Sequence, residues 1–444
     1  MNRPHLRSAG VAAAVLILAF AASKVTAEPS KPDLALIAGV MRAVQQNYVR
    51  PIDSGQLTED ALKGMLGHLD PHSSYMNEKE FRQSLEDLNG KFGGVGMEVA
   101  DRSGVPTVIA PIDDTPAARS GLQPGDAIIS VNGESTHGMD LTQLVREIRG
   151  KPGTTVTLRF SRSSKAPFDV TLTRSIIHLH SVKSALEPGS FGFVRISEFS
   201  QNTPTELTQA IATLKKRAGG RLNGFVLDLR DDPGGLLSSA VDVSGDFLDG
   251  GAVVSIRGRN RKDNEIFDAP AKGDLLPGTR IVVLVNGASA SASEIVAGAL
   301  QDRRRATVMG TQSFGKGSVQ SLITLHGHGA LRLTTGLYYT PSGRSIQDVG
   351  ITPDIVVAAP KNEQVASSFT WRESALHGAF ANPGPLVKKS AQPGEKISEE
   401  PAYSPPIKEQ LIGTANDAQL SAALNFLKHP AAAHRSNRGS TVAI

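Results

Sequence analysis

The chain has 444 residues, no cysteine, and 47 basic against 43 acidic residues, for a net charge of +4. That length exceeds one hydrophobic core and implies about three units at roughly 150 residues each. The charge is too balanced to argue for nucleic acid, and the lack of thiols excludes disulfides, thiolate metal sites, a lipid-modified cysteine and a cysteine nucleophile.

Residues 1–27 read as a secretory signal, with Arg3 and Arg7 ahead of an apolar stretch and Val25, Thr26 and Ala27 forming a small-residue cleavage site. The apolar run of about a dozen residues is short for a bilayer span of roughly 20. The expectation is an exported protein starting near Glu28, most simply periplasmic, or membrane-tethered where the segment stays uncleaved.

Residues 28–90 form a helical region. Leu36, Ile37, Val40, Val44 and Tyr48 fall near helical spacing, and a second segment around 57–69 stops at Asp70-Pro71. His72, in LDPHSSYM, reads as a turn residue beside Pro71 rather than the base of a triad.

Residues 91–176 change to short strands around one helix. Asn132-Gly133 predicts a tight hairpin after the strand 128–131. Asp140 is placed to cap a helix carrying Leu141, Leu144, Val145 and Ile148, and Gly150 stops it. Val156, Leu158 and Phe160, then Phe168, Val170 and Leu172, alternate as one-faced strands. With FGGVGMEV leading in, this order resembles a PDZ domain, which adds a peptide's C-terminus as an extra strand. The resemblance makes Gly93, Gly94, Val95 and Gly96 the backbone cup for the terminal carboxylate.

Residues 177–360 read as an α/β core. FGFVRI precedes a helix from Thr203, where Thr203 and Glu206 have capping-box spacing and Gly219-Gly220 ends the run. The buried-type strands GFVLDL and RIVVLV each lead into a glycine- or serine-rich turn, where function in such sheets concentrates. Residues 361–444 are a loosely ordered, partly helical tail with weak helical patches near Trp371 and at 420–427, and no chemistry is assigned to them.

Three stretches carry chemistry. NGASASAS places Ser289, Ser291 and Ser293 where strand 281–285 turns into a helix, whose N-terminus favours developing negative charge. Position alone fits both a nucleophile and a helix cap. Lys316, between Gly315 and Gly317, could serve as a base only if burial lowers its pKa from about 10.4 toward roughly 7 to 8. The DLRDDPGG turn can present the amides of Gly234 and Gly235, which with that of Ala292 could form an oxyanion hole. Gly310 to Lys316 imitates a phosphate-binding loop, but Gly317 replaces the required Ser or Thr and a strand follows where a helix is needed. The pairs His178/His180 and His326/His328 read as strand or surface histidines, so no metal and no cofactor is expected.

NYV, LDPHSSYM, FGGVGMEV, GLQPGDAIISVNG, DLRDDPGG, NGASASASEIVAGALQD, GTQSFGKGSVQ and YYTPSGRSIQDVGITPD, in that order, resemble the carboxyl-terminal processing peptidases. The resemblance implies a multidomain α/β protein: an N-terminal helical segment, a PDZ-like β-rich domain and a serine-protease core of the crotonase or ClpP kind. It makes Ser291 the nucleophile, Lys316 the general base and Gln320 the partner that orients the lysine. Asp302 is taken as a helix-end structural residue. Asp231-Asp232 stands where the family often has Asn-Asn. The implied function is an exported serine endopeptidase acting on proteins with apolar C-termini, with a possible adaptor, homo-oligomers formed through the terminal helices, and access controlled by the PDZ unit. The alternative, a C-terminus-binding scaffold on an inactive core, is countered by Ser291, Lys316 and Gln320 occurring together.

Overall fold

The computed structural model describes residues 30–360 except Ser103, Asp113, Asp140, Ser163, Ser164 and Leu179, together with Gln364 and residues 372–384 and 411–429. The signal segment, the Asp140 cap and the Trp371 patch lie outside the described residues. Among those described, no helix is long and apolar enough to cross a membrane.

The core is a six-stranded sheet in the order Val182–Glu187, Phe191–Ile196, Gly224–Asp228, Ile281–Val285, Ala306–Gly310, Ile355–Val356; its first pair is antiparallel and the rest parallel. Parallel strands need cover on both faces, which is why GFVLD and IVVLV are almost wholly apolar. Phe225, Leu227, Ile281 and Val283 pack in one cluster with residues of helices Thr203–Arg217, Leu237–Gly245 and Ala292–Asp302. The alternate residues Val226, Val282 and Leu284 pack instead with Leu420, Ala423 and Leu427 of helix Ala418–Lys428. Part of the tail therefore covers one face of the sheet.

A second sheet joins Ser74–Met76, Ala330–Tyr339, Ala252–Gly258 and Glu265–Asp268, with Ser318–Thr324 also paired to Ala330–Tyr339. LDPHSSYM thus ends as a strand of the catalytic half, although the sequence places it in a separate helical region. Helix Lys31–Asn47 buries none of its residues and leaves Leu34, Leu36, Ile37 and Val40 exposed.

In the chain, between strand Ser74–Met76 and the core strands, comes a separate sheet in the order Met97–Arg102, Val105–Pro111, Ala127–Val131, Thr155–Arg162, Lys165–Thr173, packed with helix Leu141–Ile148 around Val108, Ile128, Leu144, Leu158 and Phe160. Asn132 (φ 51°) and Gly133 (φ 88°) make the expected hairpin turn, both in the left-handed region.

One local expectation fails. Thr203 and Glu206 form no capping box: Asn202 caps the helix without a side-chain bond. The Glu206 carboxylate instead accepts the amides of Ser181 (2.9 Å) and Val182 (3.2 Å). Those unpaired strand-edge donors are a better match for a carboxylate than an already turned helix start.

Candidate active site

Strand Ile281–Val285 ends in a turn that delivers Ser291 to the start of helix Ala292–Asp302 with φ 55° and ψ −111°. An L-residue rarely adopts that conformation, which costs on the order of 1–3 kcal/mol and persists only where the surroundings enforce it. Two neighbouring serines help to enforce it. Ser289 Oγ donates to the Leu229 carbonyl (2.7 Å) and Ser293 Oγ to the Asp232 carbonyl (3.0 Å), both buried. The hydroxyl of Ser291 faces the Glu294 amide in a capping box and donates to no group among the described residues. Of the three serines it is the one presented for chemistry.

Glu294 organises the site, and the sequence reading did not single it out. Its side chain is wholly buried. Oε2 accepts the amides of Ser291 (2.8 Å) and Lys316 (3.0 Å), while Oε1 accepts the Gly315 amide (2.7 Å) and the Ser313 hydroxyl (2.6 Å). One oxygen therefore holds the backbones of both candidate residues, whose main-chain nitrogens lie within about 6 Å of each other. Burial pushes the Glu294 carboxyl up to about 7, against the pull of Ser313, Gly315, Ser291 and Lys316. All four groups are donors, so they match the ionised form. The Ser-x-x-Glu spacing of Ser291 and Glu294 was the signal available for it.

Lys316 is partly buried in the loop before strand Ser318–Thr324. Burial lowers its pKa; Glu373, Glu294 and Asp70 pull the other way, and Arg332 adds to the lowering. Its amine makes no hydrogen bond among the described residues, none to Ser291 Oγ included. A Cβ at Gly317 would run into the Gln347 backbone, so only glycine lets the chain pass there. Gln320 makes no hydrogen bond to the lysine among the described residues. Its amide donates to Ser318 Oγ (3.0 Å) and Thr334 Oγ1 (3.3 Å), next to a register shift between Val319 and Gln320.

The DLRDDPGG turn lies against Ser291: a Cβ on Gly234 would come within 2.9 Å of the Ser291 Cβ. The Gly234 amide, however, donates to Asp232 Oδ1 (2.8 Å) and is not available to a substrate. The amides of Ala292 and Gly235 have no acceptor among the described residues. Asp232 is wholly buried, its other oxygen is unpartnered, and burial raises its pKa well above the carboxylate range. Behind the turn, buried Arg230 is gripped by Asp228 (2.8 and 2.6 Å) and by Asp417 at the head of the C-terminal helix (2.9 and 2.6 Å).

Of the four residues expected to cup a terminal carboxylate, Gly93 and Gly94 belong to strand Lys91–Gly94, paired with Ser175–His178. Gly93 is glycine because the Gly150 carbonyl lies where a side chain would start. The amides of Val95 and Gly96 donate to nothing among the described residues and stand at the head of strand Met97–Arg102. Asp302 holds Arg344 and the Ser342 amide (2.9 Å) at the far end of its helix, a structural role.

Residues 190–357 match the model of peptidase family S41, residues 107–162 that of a PDZ domain, and residues 17–80 that of the N-terminal domain of the activating protease CtpB. The chain is 42% identical over 421 residues to a carboxy-terminal-processing protease of Bartonella bacilliformis, covering 94% of this chain and 93% of that protein. The chain belongs to the carboxy-terminal-processing proteases of family S41. It is also 34% identical over 318 residues to the carboxy-terminal processing protease CtpA of Bacillus subtilis, covering 71% and 67% of the two chains. Among solved structures, a photosystem II D1 C-terminal processing protease is 28% identical, covering 73% of this chain and 92% of that one with a TM-score of 0.42. The protein is a serine-type protease carrying a PDZ domain that binds protein substrates through C-terminal peptides.

Proposed function

We propose that this protease is exported and cleaves proteins with apolar C-terminal tails by a Ser291–Lys316 dyad. The observation that carries the reading is the Glu294 carboxylate, which takes the amides of both residues and fixes their backbones side by side. The neutral Lys316 amine accepts the Ser291 proton as Oγ attacks the scissile carbonyl carbon. The oxyanion faces the amides of Ala292 and Gly235. On collapse the C–N bond breaks, the leaving amine takes the proton from the lysine, and an ester links substrate to Ser291. Lys316 then deprotonates a water, which attacks the ester and restores the serine. The hydroxyl-to-amine hydrogen bond absent from this structure forms when substrate is bound, with Gln320 turning from Ser318 and Thr334 toward the lysine.

The tail of the substrate adds as a strand beside Met97–Arg102, its carboxylate on the amides of Val95 and Gly96 and its apolar side chains toward helix Leu141–Ile148. The PDZ unit thereby controls access to the site. The exposed apolar face of helix Lys31–Asn47 supports a homo-oligomer or an adaptor contact. The signal-like N-terminus supports a periplasmic location, checked by finding Glu28 as the mature N-terminus by mass spectrometry. The decisive experiment incubates the mature protein with a tailed substrate, free or amidated at its C-terminus. Cleavage of the free form that vanishes in Ser291→Ala is expected; tight binding with the substrate left intact would make the protein a scaffold instead.

A further inference from the structure

The segment 372–384 enters the catalytic half from the C-terminal tail and brings in one wholly buried carboxylate, that of Glu373. Both its oxygens lie 2.9 Å from His72 Nε2, and Oε1 also accepts Gln347 Nε2 at 3.1 Å. The Glu373 amide donates to the Phe314 carbonyl (3.0 Å). Gln347 passes the grip onward, since its Oε1 accepts the Gly317 amide (3.0 Å), while its Nε2 is also held by the Phe380 carbonyl (2.9 Å) of the same segment. The loop that presents Lys316 is therefore tied to one residue from both sides, at Phe314 and at Gly317.

We propose that Glu373 is a positioning residue of this active site, fixing the Lys316 loop through Phe314 and Gln347 and supplying the anion that steadies the lysine when it takes a proton. The inference rests on Lys316 being the general base. The charged groups acting on that amine come from four places: Glu373 in the tail segment, with His72 against it, Glu294 on the nucleophile helix, Arg332 on strand Ala330–Tyr339, and Asp70 in the turn before strand Ser74–Met76. Among the charges that draw the lysine toward its protonated form, that of Glu373 acts most strongly. Among the described residues the Glu373 carboxylate makes no hydrogen bond to the amine and acts on it only through its charge, so the lysine can still be neutral at rest. Once it holds the serine proton, the field of the carboxylate lowers the energy of the ammonium. The His72 of LDPHSSYM thereby acquires a role: it holds the carboxylate in place.

Two variants separate position from charge. Glu373→Gln keeps shape and main-chain contacts but removes the anion. Its kcat should fall between about 10- and 100-fold with KM for a tailed peptide unchanged, and the acid limb of its kcat–pH profile should move down by roughly one pH unit, because an amine without a nearby anion loses its proton more readily. Gln347→Leu cuts the tie to Gly317 without altering charge and should lower kcat with no displacement of the limb. Lys316→Ala, run in parallel, tests the underlying reading: if it stays active the dyad itself is lost. If Lys316→Ala is dead while Glu373→Gln keeps the wild-type kcat and pH profile, only the role of Glu373 is overturned. A loss in Glu373→Gln that merely follows a lowered thermal midpoint, with the pH limb in place, would also overturn it; should Glu373→Gln fail to fold, Gln347→Leu retaining full kcat would do the same.

Discussion

The PDZ unit and the peptidase core bury carboxylates with different kinds of partner. In the PDZ unit the core cluster is apolar, and the buried carboxylate of Asp126 is met by Arg162 at 2.6 and 2.7 Å, a side chain that still touches solvent. Burial alone would raise Asp126, yet the guanidinium holds it below the ordinary range. The peptidase core instead encloses Arg230 between two buried carboxylates and leaves Glu294 and Asp232 to main-chain amides and hydroxyls. A carboxylate answered by a cation ties two side chains together; one answered by amides dictates the path of the backbone. The first device staples the binding module and recurs in the core at Arg230; the second, at Glu294 and Asp232, shapes the turns that present the Ser291 hydroxyl and the Lys316 amine.

The largest blow to the catalytic side of that contrast is Ser291→Ala or Lys316→Ala. Either should cut kcat by at least about 10⁴-fold with the far-ultraviolet circular dichroism unchanged. Next comes Asp417→Ala, which strips Arg230 of one buried partner. It should lower unfolding free energy by about 3–5 kcal/mol in denaturant titration, whereas Asp126→Ala should cost less because Arg162 can turn to water; equal losses would erase the distinction. Glu294→Gln presents an NH₂ to amides that need an acceptor, so kcat should drop about 100-fold at unchanged KM. The smallest effect belongs to Asp232→Asn. Because the Asp232 pKa is raised in the fold, its contribution to stability is complete below the ordinary carboxylate range and is lost as pH rises through the raised value. The variant keeps an acceptor for Gly234 and should lose fewer degrees of thermal midpoint than the wild type as pH rises from about 4 to about 9.

Much of the fold was legible because its signals are local. Asn132-Gly133 can only be a tight turn, and IVVLV can only be a strand covered on both faces. Ser291 and Lys316 stand out as candidates through ordered motifs, and the Glu294 carboxylate accepts the amides of both. The same three-residue spacing misled at Thr203 and Glu206, since a local pattern does not reveal which unpaired donors a carboxylate will meet after folding. The rest of the site depends on partners far apart in the chain: His72 and Glu373 are separated by 301 positions, Arg230 and Asp417 by 187. Nothing in LDPHSSYM or in the polar tail announces such meetings, which only the packed sheet creates. Gly234 shows the same limit in reverse, as its amide looked free until Asp232 was seen to claim it.

The pairing of Arg230 with Asp417 also sets a timetable. A ribosome releases Ser291 and Lys316 long before it makes helix Ala418–Lys428. Until then one sheet face, with Val226, Val282 and Leu284, stands bare, and the guanidinium beneath the DLRDDPGG turn lacks its second carboxylate. The sheet is thus covered on both faces, and Arg230 is doubly paired, only when the last of these elements has been made.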